Sequence, residues 1–203
     1  SFSAQGIAGT KVKLRHGEQL DSRHKCLFDD NNAVFYQDVN NPLKYGKHPK
    51  DELFQTDVLI LDGKKNTFAP RFNYKGFQYV EVSSDKPLEL TEKNLTSYFV
   101  HTDVPPIGTF ECSDSLVNRL WRATNYSYLS NLVGYPTDCP HREKNGWTGD
   151  AHLAIETALY NFDAITLYEK WMADHRDNMY DGGRLRCIIP SGGWGGDILD
   201  WTC

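Results

Sequence analysis

The chain has 203 residues, of which 39% are hydrophobic, 24% charged and 13% aromatic, and its mean hydropathy is −0.57. This composition excludes a disordered chain and a membrane-spanning protein, because neither polar tracts nor long apolar runs dominate it. The net charge of −5 and the pI near 5.8 argue against a nucleic-acid partner, which would require a basic stripe.

The first half of the chain has the pattern of short β-strands separated by turns. The predicted strands lie at residues 11–15, 56–61, 77–82, 88–90 and 95–100. Residues 29–50, which contain several asparagines and prolines, are predicted to be mostly loop. Short strands at this spacing indicate an antiparallel β-sandwich, which we place at residues 1–104.

The pattern becomes helical after the paired prolines Pro105 and Pro106, which end a strand and stiffen the connection. Apolar residues then recur about every four positions and predict three helices. The first begins after Ser113 as N-cap, the second covers residues 150–161 and the third covers residues 163–179. An (α/α)6 six-hairpin toroid begins with the same order of elements, which is helix, long loop, helix, short turn and helix. We therefore predict that residues 105–203 are the first helices of such a toroid, and that the chain is truncated.

The loop between the first two helices carries the densest cluster of chemical groups. It reads Asp138-Cys-Pro-His-Arg-Glu-Lys-Asn-Gly-Trp-Thr-Gly-Asp150. A glycosidase needs a carboxylic acid to protonate the departing oxygen, further carboxylates and an arginine to hold hydroxyls, and an aromatic face for the sugar ring. Glu143 is the candidate acid.

A structural interpretation of the same loop has to be weighed against this one. Surface charges beside prolines and glycines often belong to a solvated loop. Asp150 or Thr148 could act only as the cap of the second helix, and Trp147 could simply pin the loop to the core. Cys139, Pro140 and Trp147 nevertheless favour partial burial, and a buried carboxylate must be paired.

The five cysteines are widely spaced, and the sequence contains no C-x-x-C pair. This spacing favours neither a zinc site nor a disulfide framework. His141-Arg-Glu143 matches the H-x-E of zinc deaminases, but the P-C-x-x-C partner motif is missing. We expect no metal and no cofactor.

The motif at residues 138–150 resembles the signature block of the α-L-rhamnosidases of glycoside hydrolase family 78. Several segments upstream are similar to the β-domain of that family and to the entry into its barrel. These segments are residues 8–12, 17–20, 68–72, 76–81, 108–113 and 116–118. The resemblance therefore covers most of the chain. Two departures stand out: His141 occupies a position where glutamine is frequent, and Lys144-Asn145 replaces a common Arg-Leu-like pair.

The resemblance implies an inverting hydrolase that releases terminal α-L-rhamnose from oligosaccharides or glycosides, without a metal. Glu143 would be the general acid, Asp138, Arg142 and Asp150 would bind rhamnose hydroxyls, and Trp147 would wall the sugar pocket. The family's base is a glutamate far downstream, which no residue here matches. Asp138 or Asp150 could in principle be the second carboxylate, although neighbours in one loop usually approach the same side of a ligand.

The glycine-rich tail supplies further candidates for the sugar pocket, because glycine allows close approach and tryptophan offers a stacking face. In the resembling family an aromatic and acidic segment lies near here, and Asp200 and Trp201 are the best local match. Trp194 and Asp197 are weaker matches. A frayed chain end is the competing interpretation.

Two other functions remain open: a different six-hairpin exo-glycosidase, and a carbohydrate-binding module without turnover. No signal peptide is visible at Ser1-Phe-Ser, which leaves the compartment undetermined. The oligomeric state is equally undetermined, although exposed apolar helix faces would favour self-association.

Overall fold

The computed structural model describes residues 1–20, 27–28, 55–191, 195–196 and 198–202. Most of the loop predicted at residues 29–50, together with Trp194 and Asp197, lies outside the described residues. The chain divides into two compact units, Ser1–Tyr98 and Phe99–Cys203. The domain limits 1–104 and 105–203 stay a prediction.

The described part of the first unit is built from short antiparallel strands. They are β1 (Phe2–Gln5), β2 (Lys11–Gly17), β3 (Gln19–Leu20), β4 (Leu27–Phe28), β5 (Thr56–Ile60), β6 (Lys65–Phe68) and β7 (Tyr79–Ser84). Strand β2 lies between β5 and β7 in a three-stranded sheet, while β1 pairs with β6 and β3 pairs with β4. In the register, Leu14 of β2 faces Asp57 of β5 and Val82 of β7.

The alternation of β2 places Val12 and Leu14 on its buried face. Phe2 and Ala4 of β1 belong to the same apolar cluster, and Phe68 of β6 packs against it. The β1–β6 pair therefore covers one face of the three-stranded sheet. This arrangement confirms the predicted antiparallel β-sheet class of the first unit.

The strands predicted at residues 88–90 and 95–100 are wrong. Leu88 packs against the core without joining a strand, and Leu95 forms only an isolated bridge with Phe2. The segment between them closes into a 3₁₀ turn, Glu92–Asn94. The Asn94 amide donates to the Ser3 carbonyl at 2.7 Å. A local turn, the Asn94 side chain and a single backbone bridge to residues 1–2 thus hold this segment in place of a strand ladder.

The second unit contains the three predicted helices, α1 (Ser115–Ser130), α2 (Thr148–Asn161) and α3 (Ile165–Asp177). The cap of α1 is Asp114 and not Ser113, because the Asp114 carboxylate accepts the backbone N–H of Leu116 at 2.8 Å. No helix of the described ranges is long and apolar enough to cross a membrane.

Aromatic packing holds the three helices together. Tyr128 of α1 stacks on Phe162 at 5.5 Å between ring centroids, and its hydroxyl lies 3.3 Å from that of Tyr168 in α3. Ala151 and Ala158 place α2 in the same cluster. Three helices do not close a toroid, and large apolar side chains on their outer faces are exposed. These side chains include Leu116, Leu120, Leu153, Tyr160 and Met172.

Candidate active site

The loop that joins α1 to α2 holds Glu143 in a defined orientation. Its carboxylate Oε2 accepts the indole N–H of Trp147 at 2.6 Å. The backbone N–H of Glu143 donates to the Cys139 sulfur at 3.3 Å, and its carbonyl accepts from the Asn145 amide at 2.9 Å. The side chain is half-buried. Both the backbone and the carboxylate of the candidate acid are therefore fixed by neighbours within the motif.

Asp138 is held by Cys139 and Asn145, which also bond to Glu143. Its Oδ1 accepts the backbone N–H of Asn145 at 3.1 Å, and its Oδ2 accepts the Cys139 thiol at 2.8 Å. Burial, and then the hydrogen bond to Asp138, raise the pKa of Cys139, which keeps the thiol protonated as a donor. Cys139 and Asn145 thus connect Asp138 and Glu143.

A buried segment at residues 187–189 supports the loop from behind. The N–H of Ile189 donates to the Gly146 carbonyl at 2.7 Å, and the N–H of Thr148 donates to the Cys187 carbonyl at 3.0 Å. Cys187, Ile188 and Ile189 are fully buried. Because a Cβ on Gly146 would lie 2.1 Å from the Ile189 carbonyl oxygen, only glycine fits there.

Two tryptophans form an aromatic corner beside the acid. The rings of Trp147 and Trp201 meet edge to face at 6.1 Å between centroids and 81° between planes. The Trp201 indole covers Gly149, where a Cβ would lie 2.6 Å from the ring. Trp201 remains 38% exposed, so part of its surface faces solvent. The structure thereby brings Trp201 of the tail to the motif loop, while the proposed role of Trp201 in lining a sugar pocket stays a prediction.

Asp150 lies in the first turn of α2, and its side chain is exposed. The carboxyl group is nevertheless partly screened from water by its neighbours, and this partial burial, followed by the charge of Asp138, raises the pKa of Asp150. The two carboxylates therefore share one electrostatic environment.

The capping interpretation of this turn is wrong for Thr148. The N-cap is Trp147, which makes no side-chain cap bond. The hydroxyl of Thr148 lies 2.9 Å from the Trp201 carbonyl and 3.1 Å from that of Cys187. Thr148 therefore ties the start of α2 to the tail and to the buried segment.

Arg142 and Asp200 are the two candidates that the structure does not draw into this network. Both are exposed, and neither side chain forms a hydrogen bond or ion pair with another residue of the described ranges. Their side chains are open to a ligand.

Three contributors to the site were not predicted from the sequence: Cys139 as a hydrogen-bonding centre, Asn145 as the connection between two carboxylates, and the buried segment at residues 187–189. The apolar run Cys187-Ile-Ile signalled burial, but no spacing rule linked it to residue 146. Among the described residues, no group of three or more His, Cys, Asp or Glu side chains could hold a metal.

Comparison with known protein families identifies both units. The model of the bacterial α-L-rhamnosidase six-hairpin glycosidase domain matches residues 105–203, and that of the bacterial α-L-rhamnosidase concanavalin-like domain matches residues 1–101. An α-L-rhamnosidase of Formosa agariphila is 42% identical over 137 residues, which cover 64% of this chain and 14% of the relative. An α-L-rhamnosidase of Streptomyces avermitilis is 29% identical over 97% of this chain and 17% of the relative.

Solved structures give the same result. The α-L-rhamnosidase of Dictyoglumus thermophilum superposes with a TM-score of 0.78 at 33% identity, over 93% of this chain and 20% of that one. The Streptomyces avermitilis α-L-rhamnosidase complexed with L-rhamnose superposes with a TM-score of 0.76 at 29% identity, over 99% of this chain and 18% of that one. The chain spans about a fifth or less of the length of these relatives.

Proposed function

This chain belongs to the α-L-rhamnosidase family, and on that premise we propose that the protein hydrolyses terminal α-L-rhamnose from glycosides with inversion, using Glu143 as general acid. The observation that carries the proposal is the fixed carboxylate of Glu143, held 2.6 Å from Trp147 in the loop that also contains Asp138 and that leads into Asp150 at the start of α2. A general acid must be held in reach of the departing oxygen before the substrate arrives.

The remaining groups fit the recognition of one sugar. Asp138 and Asp150 repel each other in the free protein, and hydroxyl donors of a bound rhamnose would relieve that repulsion. Arg142 is open to donate to further hydroxyls. Trp147 and Trp201 offer apolar ring surface for the C–H face of the sugar, and Asp200 lies next to Trp201.

The catalytic base, in this proposal, lies outside residues 138–150. An inverting mechanism requires two carboxyl groups about 6.5–9.5 Å apart on opposite faces of the sugar. Both carboxylate oxygens of Asp138 already accept hydrogen bonds from its own loop. The charge of Asp138 also acts on Asp150, and we therefore assign both carboxylates to the binding of hydroxyls and not to the activation of water.

Hydrolysis of phenyl α-L-rhamnoside by the longest native form of this chain tests the proposal. We expect rhamnose release, with the β-anomer detected first by NMR, and a loss of about 10²–10⁴-fold in kcat for Glu143→Gln. Glu156→Gln is the matched control, because Glu156 is exposed on α2 away from the motif.

Four other outcomes would overturn parts of the proposal. Unchanged turnover in Glu143→Gln would show that Glu143 is not the general acid. If the α-anomer appeared first, the mechanism would not be inverting. Hydrolysis of other phenyl glycosides but not the rhamnoside would favour a different exo-glycosidase, whereas rhamnose binding without any hydrolysis would favour a binding module.

A further inference from the structure

Trp147 not only offers an aromatic surface but also donates a hydrogen bond to the carboxylate of Glu143. We propose that Trp147 is a positioning residue whose indole N–H dictates which oxygen of Glu143 carries the catalytic proton. This inference rests on the proposed role of Glu143 as general acid, and it assigns to Trp147 a function distinct from stacking on sugar.

The indole N–H is a donor only and cannot accept a hydrogen bond. Since it lies 2.6 Å from Oε2 of Glu143, a proton on Oε2 would place two donors against each other. The protonated form of Glu143 therefore carries its proton on Oε1. This leaves Oε1–H as the group that faces the departing oxygen.

The proton-transfer step explains why the hydrogen bond from Trp147 to Glu143 affects the rate of hydrolysis. Oε1–H gives its proton to the glycosidic oxygen while the bond between that oxygen and the anomeric carbon breaks, its electron pair remaining on the oxygen. Water adds to the anomeric carbon and loses a proton to the base, which yields free rhamnose and the alcohol. Glu143 becomes negatively charged during this step. A hydrogen bond to a charged acceptor is stronger than one to a neutral acceptor, so the indole N–H stabilises the transition state more than the bound substrate.

The position of the indole is set by the fold and not by the carboxylate alone. The backbone of Trp147 forms a bridge with the buried Ile188, and its ring rests against Trp201. The donor is therefore already in place before the substrate binds, as electrostatic preorganisation requires.

Leaving-group dependence separates this role from stacking. Phenyl α-L-rhamnoside needs protonation of its departing oxygen, whereas 2,4-dinitrophenyl α-L-rhamnoside departs without it. In the longest native form of the chain, we expect Trp147→Phe to lower kcat about 10- to 100-fold on the phenyl substrate and less than about threefold on the dinitrophenyl substrate. KM should change little for either.

Two further variants control this experiment. Replacing Trp147 by β-(3-benzothienyl)alanine keeps the two-ring shape and exchanges the N–H for sulfur, so it should show the same selective loss even if Phe disturbs the fold. Trp121→Phe also removes an indole N–H, which donates to Asn161 at 2.9 Å outside the motif, and should affect neither substrate.

Equal losses on the two substrates, or a loss confined to KM, would overturn the positioning role and leave Trp147 as a stacking surface. Full activity of the benzothienyl variant on the phenyl substrate would overturn it as well. If instead the wild-type protein cleaves neither rhamnoside, the proposed function itself fails. The two failures are thus distinguishable.

Discussion

The candidate site has a tied side and an open side. On the tied side, Asp138, Glu143 and Trp147 are half-buried, and their polar atoms bond to one another or to Cys139 and Asn145. On the open side lie three exposed residues of the same site, Arg142, Asp150 and Asp200.

This difference matches the tasks that we propose for Glu143 with Trp147 and for the three exposed residues. Asp138 combines both, because it is bonded to its own loop and is also proposed to bind rhamnose hydroxyls. A group that transfers a proton must be held within a narrow geometry before the substrate arrives, which requires bonds to the protein. A group that binds hydroxyls keeps its hydrogen-bonding capacity for the ligand, at a cost in stability to the free protein. Substitutions on the tied side should therefore reduce stability, and those on the open side should mainly reduce binding.

The largest effect on stability is expected where the buried segment supports the tied side. Gly146→Ala would place a methyl group 2.1 Å from the Ile189 carbonyl oxygen, so the backbone must shift, at a cost of about 3 kcal/mol. Urea unfolding followed by tryptophan fluorescence measures it, since all five tryptophans lie after residue 120. Gly196→Ala, where a Cβ would meet nothing within 4 Å, is the control. Equal urea midpoints for the two variants would contradict the inference that residues 187–189 support the loop.

Two single alanine variants, one on the tied side and one on the open side, compare the two sides directly. Asp138→Ala leaves the Cys139 thiol and the Asn145 N–H without their acceptor and should destabilise the unit by about 2 kcal/mol. Arg142→Ala should change stability by less than about 0.5 kcal/mol while raising KM for the rhamnoside about tenfold. Equal loss of stability in both variants would remove the distinction between the sides.

The smallest effect concerns Asp150 and depends on pH. Because its pKa is raised in the folded protein, the folded state binds this proton more readily than the unfolded state, and the charged form destabilises the fold at neutral pH. Asp150→Asn should therefore stabilise the protein at pH 7, by less than about 1 kcal/mol after solvent screening, and weaken rhamnose binding. The gain should shrink as the pH falls through the raised pKa and vanish below about pH 3. A gain that persists at low pH would have another cause.

The fold and the motif differ in how far sequence predicts them. The three helices follow from apolar residues at helical spacing. Strands β2 and β7 follow from alternation, and β5 follows from an apolar run that ends at a turn; the bounds of these elements moved by only a few residues. The strands predicted near Leu88 and Leu95 failed because a local turn and the Asn94 amide satisfied that segment. A pattern of apolar residues does not report side-chain bonds to distant backbone.

Sequence alone determined the family, the order of sheets and helices, and the candidate carboxylates, because periodicity and motif are properties of neighbouring residues. Only the tertiary structure decided that Cys139 and Asn145 connect Asp138 to Glu143, and that Trp147 donates to the acid. It also brought Trp201 to Gly149 and Ile189 to Gly146, across 52 and 43 positions of chain. Such contacts depend on how separate segments pack, and packing at this distance leaves no periodic trace in the sequence.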